Sequence, residues 1–328
     1  MTITSSVNRT SESTEITAVD ACLFILALLL SLFICTVNIV TIILLWRTET
    51  LRTLANLYLA SLAAADLVVG LGLVPMALFL LPPTRVSLFN RYSNLCVLIS
   101  GLNLGMAGNS IIHMAFVSVD RYLFISKPYT YQRVMNVRIV VINVTSAWVI
   151  GVSYTFLPQF IHQSFTDGVK CDITELLPMW YLAYGAWGFY FTSVVVILVM
   201  YTLILRTAFK QRKSIQTAAP FGAPANGNSR NTISKSTLKS LKFFFTVFGI
   251  FFLCMTPIVI SLGVDYYVNV PVTLYRILVI LALTNSGMNF VIFTVQNGQF
   301  RRAVFKFFRC YSLIRELNED QAMVSAIT

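Results

Sequence analysis

Long stretches without ionisable side chains dominate the chain. Five of them, residues 22–46, 139–161, 176–205, 243–264 and 277–300, contain no Asp, Glu, Lys, Arg or His. Two more have one such residue each, Asp66 within residues 53–84 and His113 within residues 92–119. About 20 apolar residues cross the hydrocarbon of a bilayer as an α-helix, so the pattern predicts seven transmembrane helices. Runs this continuous exclude a β-barrel, whose strands alternate apolar and polar residues.

The composition agrees with a membrane protein. Hydrophobic residues make up 57% of the 328 residues and charged residues only 11%, against roughly 25% in an ordinary soluble domain. So few charges could not cover the surface of a soluble enzyme of this size. The predicted fold class is therefore an all-α bundle of seven transmembrane helices.

The net charge of +11 is explained by membrane orientation. With the amino terminus outside, nineteen of the 24 Lys and Arg residues fall in the inner loops and tail. Positively charged loops are retained in the cytoplasm and attract anionic lipids, so the charge distribution favours this orientation and contact with membrane lipids. A nucleic-acid partner is not needed to explain the charge, and none is expected.

The same pattern divides the chain into four parts. We expect an outer tail at residues 1–17, the bundle at 18–297, an interfacial helix at 298–310 and an inner tail at 311–328. The outer tail does not have the pattern of a cleavable signal peptide, and its Asn8 begins an Asn-Arg-Thr sequon, so we expect glycosylation there. Residues 210–236, rich in Ala, Pro, Gly and Asn, indicate a flexible inner loop.

The segment after the seventh stretch is amphipathic. At helical spacing, Phe300, Val304, Phe307 and Phe308 share one face opposite basic residues, which predicts an eighth helix lying in the membrane interface. Cys310 at its end is a candidate for palmitoylation, with an unmodified thiol as the alternative.

The other cysteines separate by location. Cys22, Cys35 and Cys254 lie within predicted spans, where a buried thiol behaves as a small hydrophobe. Cys96 and Cys171 lie on the outer, oxidising side, and we expect them to form a disulfide bond.

Several short motifs occur in the same order and in the same spans as those of a known family. They are Asn38, Asn56-Leu57 through Asp66, Asp120-Arg121-Tyr122 followed by Lys127-Pro128, Trp148, Tyr201 and Pro257. From Cys22 to Cys310 the chain thus resembles the rhodopsin-like class of G-protein-coupled receptors, in style closest to its amine-receptor branch. The resemblance implies a receptor of the plasma membrane.

The resemblance also gives the inner end a role. Arg121 cannot be left unpaired in a low dielectric, and Asp120 is its obvious partner in a resting state. In the family, movement of the sixth helix exposes this arginine in a cavity that receives a heterotrimeric G protein. Asp120, Arg121, Tyr122 and Tyr201 are therefore the expected coupling residues.

Asp66 is an acid at mid-membrane depth and needs partners. In the family, residues at the positions of Ser110, Asn285 and Asn289 join this aspartate around a sodium ion, and oxygen ligands suit a hard cation. The resemblance implies sodium as an allosteric ligand, with a water-only network as the alternative. No other cofactor is expected.

Three departures concern the switch between states. The family pattern Asn-Pro-x-x-Tyr is replaced by a segment running from Asn289 to Phe293, with Phe290 in place of proline and Phe293 in place of tyrosine. Without proline the helix should straighten, and without the hydroxyl a water-bridged contact to Tyr201 cannot form. Met255 replaces a ligand-sensing tryptophan and Ser193 a proline, so we expect unconventional or agonist-independent switching.

The outer half of the bundle lacks the residues that two ligand classes require. Leu283 replaces the retinal-binding lysine of opsins, and Asn103 replaces the aspartate that pairs with amines. The lining inferred by position is mostly apolar and favours a lipophilic or neutral small ligand. It comprises Asn103, Met106, Ala107, Ile258, Leu262 and Val279.

Receptor signalling is the predicted function, with a transporter or channel as the alternative. The sequence has no paired intramembrane charges, internal repeats or broken half-helices that would favour transport. An enzyme is not expected, because His113 and His162 lack metal-ligand neighbours and no Gly-x-Ser-x-Gly motif occurs. His113 is interpreted as a hydrogen-bonded interior residue.

Overall fold

The structure, a computed structural model, describes residues 15–84, 87–88, 92–161, 179–181, 187–217, 227–265, 268 and 270–309. These ranges are helical, without any β-strand, and seven of the helices are long and apolar enough to cross a membrane. In the following, "outer" and "inner" refer to the predicted orientation. The long helices are α1 Ala18–Arg47, α2 Leu54–Leu78, α3 Ser93–Ser126, α4 Val137–Ile161, α5 Gly188–Thr217, α6 Gly227–Val264 and α7 Val272–Gln296.

An eighth helix, α8, covers residues 298–309. Phe300 and Val304 are buried in a cluster with Leu51, in the turn Glu49–Leu51 between α1 and α2, and with Leu59 of α2. Phe308, predicted on the same face, is 52% exposed, because it lies at the edge of the face that packs on the bundle. The prediction of an all-α bundle with an amphipathic eighth helix is confirmed.

Both ends of α1 follow from local chemistry. The Thr17 side chain accepts from the Asp20 amide at 3.1 Å, and the Asp20 carboxylate accepts from the Thr17 amide at 3.1 Å, which forms a capping box. The other carboxylate oxygen of Asp20 pairs with Arg276 of α7 at 2.7 Å. Arg47 occupies the last turn, where a cation is favoured.

The structure corrects several predicted boundaries. Both α5 and α6 extend into residues 210–236, which were expected to form a flexible loop; residues 218–226 lie outside the described ranges. Charged residues end a hydrocarbon-spanning run, but Lys, Arg and Gln are good helix formers, so the helices continue past the membrane. The α5 helix begins at Gly188, whereas the charge-free stretch begins at residue 176. Helix α7 ends at Gln296, one residue before the predicted end of the bundle at 297.

Polar side chains of α1 tie it to its neighbours. The Asn38 amide nitrogen donates to the carbonyl oxygen of Ser286 in α7 at 3.1 Å. The Ser31 hydroxyl donates to the carbonyl oxygen of Gly70 in α2 at 2.7 Å. In hydrocarbon such groups need partners inside the protein, so these bonds help to fix which helices are adjacent.

Small residues bring α3 and α4 close together. A Cβ atom added to Gly105 would collide with the Thr155 hydroxyl and lie 2.7 Å from the carbonyl oxygen of Gly151. A Cβ atom on Gly151 would in turn lie 2.8 Å from the Cβ of Asn109. Neighbouring transmembrane helices approach this closely only where side chains are small.

We predict that Gly105→Ala destabilises the bundle, because the added methyl group forces α3 away from α4. Overpacking of this kind costs about 1 to 3 kcal/mol. The thermal stability of the detergent-solubilised protein measures the effect. Gly249→Ala in α6 is the matched control, since no atom lies within 4 Å of its added Cβ, and its melting temperature should not fall. Equal melting temperatures for the two variants would contradict the close contact.

Candidate functional site

The outer half of the bundle contains a cavity of about 120 Å³ between helices α2 to α7. Five of the six residues inferred by position lie on its wall: Asn103, Ala107, Ile258, Leu262 and Val279. Leu283 also lines it, at the position where an opsin has its lysine. Among the described lining residues none is Asp, Glu, Lys, Arg or His, so no formal charge faces this space.

Met106 was expected in the lining, and this expectation is wrong. Its side chain is 2% exposed and packs in a cluster with Ala27 of α1 and Val69 of α2. Each residue turns an α-helix by about 100°, so Met106 and Ala107 face different neighbours although they are adjacent.

Most of the aromatic wall was missed by the sequence analysis. The cavity is also lined by Met76, Tyr154, Phe189, Tyr190, Met255 and Tyr275. In a membrane protein, apolar and aromatic side chains face lipid as readily as they face a cavity. Only the register of each helix could have identified these residues.

Asn103 is the polar group whose chemistry distinguishes the cavity. It is 6% exposed, and its amide nitrogen donates to the carbonyl oxygen of Ile99 at 2.9 Å. Its side-chain oxygen is buried without a hydrogen-bond partner. An unsatisfied buried acceptor costs about 1 to 3 kcal/mol, so a donor that reached Asn103 would bind favourably.

Asp66 lies deeper in the bundle and is fully buried. It accepts from the Ser110 hydroxyl at 2.5 Å and from the Asn289 amide nitrogen at 2.9 Å, one bond to each carboxylate oxygen. Ser286 contacts the same carboxylate. Asn285 is 2% exposed, but its amide nitrogen has no partner among the described residues. Three of the four residues expected at this site are therefore in direct contact, and Asn285 does not bond to Asp66.

His113 connects three helices below this site. Its Nδ1 lies 2.9 Å from the carbonyl oxygen of Asn109, which can only accept, so Nδ1 carries the proton. Its Nε2 then accepts from the Ser61 hydroxyl at 2.7 Å, and Ser61 accepts from the Trp148 indole nitrogen at 2.9 Å. Both ring nitrogens thus have partners, as expected of an interior histidine.

The inner end of α3 is held by an ion pair. Arg121 and Asp120 lie 2.8 Å apart, with Asp120 1% exposed and Arg121 26% exposed. Arg121 also lies over the Phe124 ring, 5.5 Å from its centroid. Tyr122, beside the pair, is half-buried. The closed pair matches the resting arrangement expected from the sequence.

Tyr131 gives Asp120 a second partner that the sequence analysis missed. It lies on the short helix Pro128–Val134, and its hydroxyl donates to Asp120 at 3.1 Å. Burial, reinforced by the negative charge of Asp120, raises the pKa of Tyr131 to about 12, so the hydroxyl stays protonated at neutral pH. In the sequence, Tyr131 is only a tyrosine eleven residues after Asp120. The contact between them could not be inferred without knowing where the short helix lies.

The altered residues at the inner end of α7 have packing roles. Helix α7 runs without a break through Phe290 to Gln296, and the straightening expected without proline stays a prediction. Phe290 and Phe293 contact Phe300 of α8, with ring centroids 5.9 and 6.3 Å away. Phe293 and Tyr201 both line an apolar inner cavity, and the Tyr201 ring lies 6.1 Å from that of Phe245.

The predicted modification sites fall mostly outside the described residues. Cys96 is disulfide-bonded, whereas Cys22, Cys35 and Cys254 are free thiols. Cys171, Asn8 and Cys310 lie outside the described ranges, so the partner of Cys96, the glycan and the lipid remain predictions.

Comparison with known proteins identifies the class. The model of the 7 transmembrane receptor (rhodopsin family) matches residues 37–293, most of the chain. The chain therefore belongs to the rhodopsin family of seven-transmembrane receptors. It is a multi-pass membrane protein with the fold of receptors that signal through G proteins, and nothing in the comparison supports a transporter or an enzyme.

The relatives lie in the amine-receptor branch. The chain is 27% identical to trace amine-associated receptor 7e of Mus musculus over 265 residues, which are 77% of this chain and 73% of that protein. It is 25% identical to trace amine-associated receptor 9 of Mus musculus, over 87% of this chain and 85% of the relative. It is 24% identical to the histamine H2 receptor of Canis lupus familiaris, over 83% and 75% of the two chains.

We predict that Tyr131→Phe raises basal signalling, because Asp120 loses a donor that helps to hold it in the resting packing. One net hydrogen bond is worth about 0.5 to 1.5 kcal/mol, which shifts the equilibrium between states by about 2- to 13-fold. G-protein activation at matched surface expression measures this shift. Tyr129→Phe on the same short helix is the control, since Tyr129 is 89% exposed. Unchanged signalling in Tyr131→Phe would mean that the bond does not stabilise the resting state.

Proposed function

We propose that this receptor acts at the plasma membrane, with its amino terminus outside, and detects a small, lipophilic, uncharged ligand that donates a hydrogen bond to Asn103. The outer cavity carries this proposal. Its described wall is apolar and aromatic, without a formal charge, and the unpartnered oxygen of Asn103 is buried in it. A site with one unsatisfied acceptor among apolar surfaces selects ligands that combine hydrophobic area with a well-placed donor.

An amine is the second candidate, and the relatives favour it. Two of them are receptors named for trace amines and one for histamine. An ammonium group could donate to Asn103 and lie over the aromatic rings of the cavity, since cation–π contacts bind ammonium ions. Asn103 supplies no negative charge, however, and desolvating an ammonium group without a counter-charge is costly. The uncharged ligand is therefore the preferred proposal.

The path from the cavity to the inner end runs through α6. Met255 and Ile258 line the cavity and share a buried cluster with Phe251, which is 0% exposed. Pro257, between Met255 and Ile258, lies inside the continuous helix α6, where it removes one backbone donor. The Thr256 hydroxyl lies 2.5 Å from that of Tyr190 in α5. A ligand that displaced Met255 would shift this cluster and bias the packing of α6 around its proline.

The same movement would open the inner ion pair. Arg121, released from Asp120, is the group that would meet a heterotrimeric G protein, with Tyr122 and Tyr201 beside it. Phe290 and Phe293 carry no hydroxyl and pack against Phe300, so neither can supply a water-bridged contact to Tyr201. This supports a switch that works by repacking apolar side chains, and a basal activity of its own follows if the two packings have similar free energies.

Asp66 has the chemistry of a sodium site. Its carboxylate and the Ser110 hydroxyl would hold the ion, with amide oxygens of Asn289 and Asn285 as further ligands. Among the described residues the amide nitrogen of Asn285 has no hydrogen-bond partner. Bound sodium would supply the counter-charge that a buried carboxylate lacks. Ser110 and Asn289 already orient the carboxylate, and they would hold the resting packing of α2, α3 and α7 together.

Lipids are the proposed partners of α8. Arg301 and Arg302 are exposed together with Phe305, which is 66% exposed. Basic and aromatic side chains on one exposed surface suit the headgroup region of an anionic leaflet. A palmitoyl chain on Cys310 would anchor the same end.

The ligand proposal predicts that Asn103→Asp makes the receptor sensitive to amines. A carboxylate in place of the amide gives an ammonium a charge-assisted bond, about 1 to 2 kcal/mol stronger than a neutral one, or roughly 5- to 30-fold in affinity. Histamine and 2-phenylethylamine are the probes, with cAMP and calcium as readouts in cells expressing matched surface levels. Asn103→Leu is the apolar control and should respond to neither amine. A response of the wild-type chain equal to that of Asn103→Asp would overturn the uncharged ligand in favour of the amine.

The sodium proposal predicts that sodium lowers basal signalling and that Asp66→Asn abolishes this dependence. The substitution keeps the shape of the side chain but removes the charge that binds the cation. G-protein activation in membranes is compared in sodium chloride and in an equal concentration of N-methylglucamine chloride, which keeps the ionic strength constant. Asp265→Asn, in the turn after α6, is the control for losing a carboxylate elsewhere. A sodium effect that survives in Asp66→Asn would exclude this site.

A further inference from the structure

Two tyrosines near the outer end of α4 are bonded reciprocally. The Tyr154 hydroxyl donates to the backbone carbonyl of Tyr181 at 2.7 Å, and the Tyr181 hydroxyl donates to the backbone carbonyl of Tyr154 at 2.5 Å. Their rings are stacked, with centroids 4.3 Å apart and an angle of 4° between the planes. Each tyrosine thus holds the main chain of the other, and the two rings fix the angle at which the segments meet.

The pair belongs to both the core and the cavity. Tyr181, in the segment 179–181, is 1% exposed and packs in a cluster with the disulfide-bonded Cys96 and with Val97 at the start of α3. Tyr154 lines the outer cavity and meets the ring of Phe189 edge-on, at 5.4 Å and 85°. Phe189 lines the cavity too. The contact therefore joins a buried anchor to a wall of the proposed ligand site.

We propose that Tyr154 and Tyr181 form an aromatic clasp that closes the outer cavity between α4 and the segment preceding α5, and that makes Tyr154 a specificity-determining residue of that cavity. The hydroxyl proton of Tyr154 is already donated to the chain, so the residue offers a ligand its ring and no free donor. Tyr181 acts as a positioning residue, because it does not line the cavity itself but is bonded to Tyr154, which does. The assignment of specificity rests on the proposed function; the closure of the cavity does not.

The state of the clasp determines which part of a ligand the α4 side of the cavity can accept. With the clasp closed, the α4 side of the cavity accepts a flat or apolar part of a ligand against the Tyr154 and Phe189 rings. With it open, the Tyr154 hydroxyl becomes available, and the cavity widens towards residues 179–181. The two hydroxyl bonds therefore set both the size and the polarity of one end of the cavity.

The test measures access to the cavity without any ligand. Ala107→Cys places a thiol on the cavity wall, and its rate of modification by the membrane-impermeant reagent MTSET is measured on intact cells. The same chain without this cysteine gives the background from the native thiols. Tyr154→Phe and Tyr181→Phe each remove one hydroxyl bond while keeping the ring. Each is expected to raise the rate by about 2- to 13-fold, the range for one net hydrogen bond, and the double variant by more than either.

Tyr190→Phe is the matched control, because Tyr190 also lines the cavity and bonds through its hydroxyl, but to Thr256 of α6. It should leave the rate unchanged. Opening the clasp should raise the labelling rate of a bulkier aromatic methanethiosulfonate more than that of MTSET. A general loss of structure would not favour the bulkier reagent. Leu262→Cys is a second reporter position on the cavity wall.

An unaltered rate at both reporter positions in the double variant, at normal surface expression, would overturn the clasp. So would an equal increase in Tyr190→Phe. Because MTSET labelling does not depend on signalling, a changed rate with no response of Asn103→Asp to amines would retain the clasp and count against the proposed ligand site alone.

Discussion

Polar groups inside this bundle depend on partners within the protein, because hydrocarbon offers none. Asp66 is the extreme case: a carboxylate with no exposed surface, which needs Ser110 from α3 and Asn289 from α7 to be accommodated on α2. The same requirement ties α1 to α7 through Asn38, and α2 to α3 and α4 through Ser61, His113 and Trp148. The apolar surface lets the helices enter the membrane, while these few bonds determine how they pack against one another.

The seven spans could be predicted from the sequence because crossing hydrocarbon imposes a length and an apolarity that few other structures need. The ends of the helices could not. Helix α5 runs on to Thr217 and α6 begins at Gly227, since a helix in water tolerates the charges that end a membrane span. The ion pair of Asp120 and Arg121 could be predicted because an arginine near the membrane face needs a partner, whereas its coupling role came only from the resemblance to the receptor family. Tyr131 was missed because its role depends on where a short helix folds back.

In the outer cavity, too, some residues could be predicted from the sequence and others could not. Asn103 was identified in the sequence because it occupies the position of the aspartate that pairs with amines in the amine-receptor branch. Tyr154 and Tyr275 were not, because an aromatic ring at a lipid-facing position and one at a cavity wall look alike in the sequence. Met106 does not line the cavity although its neighbour Ala107 does, because one residue along a helix turns the side chain by about 100° towards another helix. Resemblance to a family gives the register of the spans, but the chemistry of a cavity depends on which of several apolar faces meet there.

The inner end of α7 has a mechanical consequence. In a helix hinged at a proline, the outer and inner halves can move separately. Here the hydrogen-bonded ladder of α7 is unbroken as far as Gln296, and the rings of Phe290 and Phe293 bear on Phe300 of a helix expected to lie along the membrane surface. Because α7 packs against α8 through these rings, a displacement of the outer end of α7 should also move α8 within the lipid headgroups. The free energy needed to move α8 in the bilayer then contributes to the free-energy difference between the two states of the receptor.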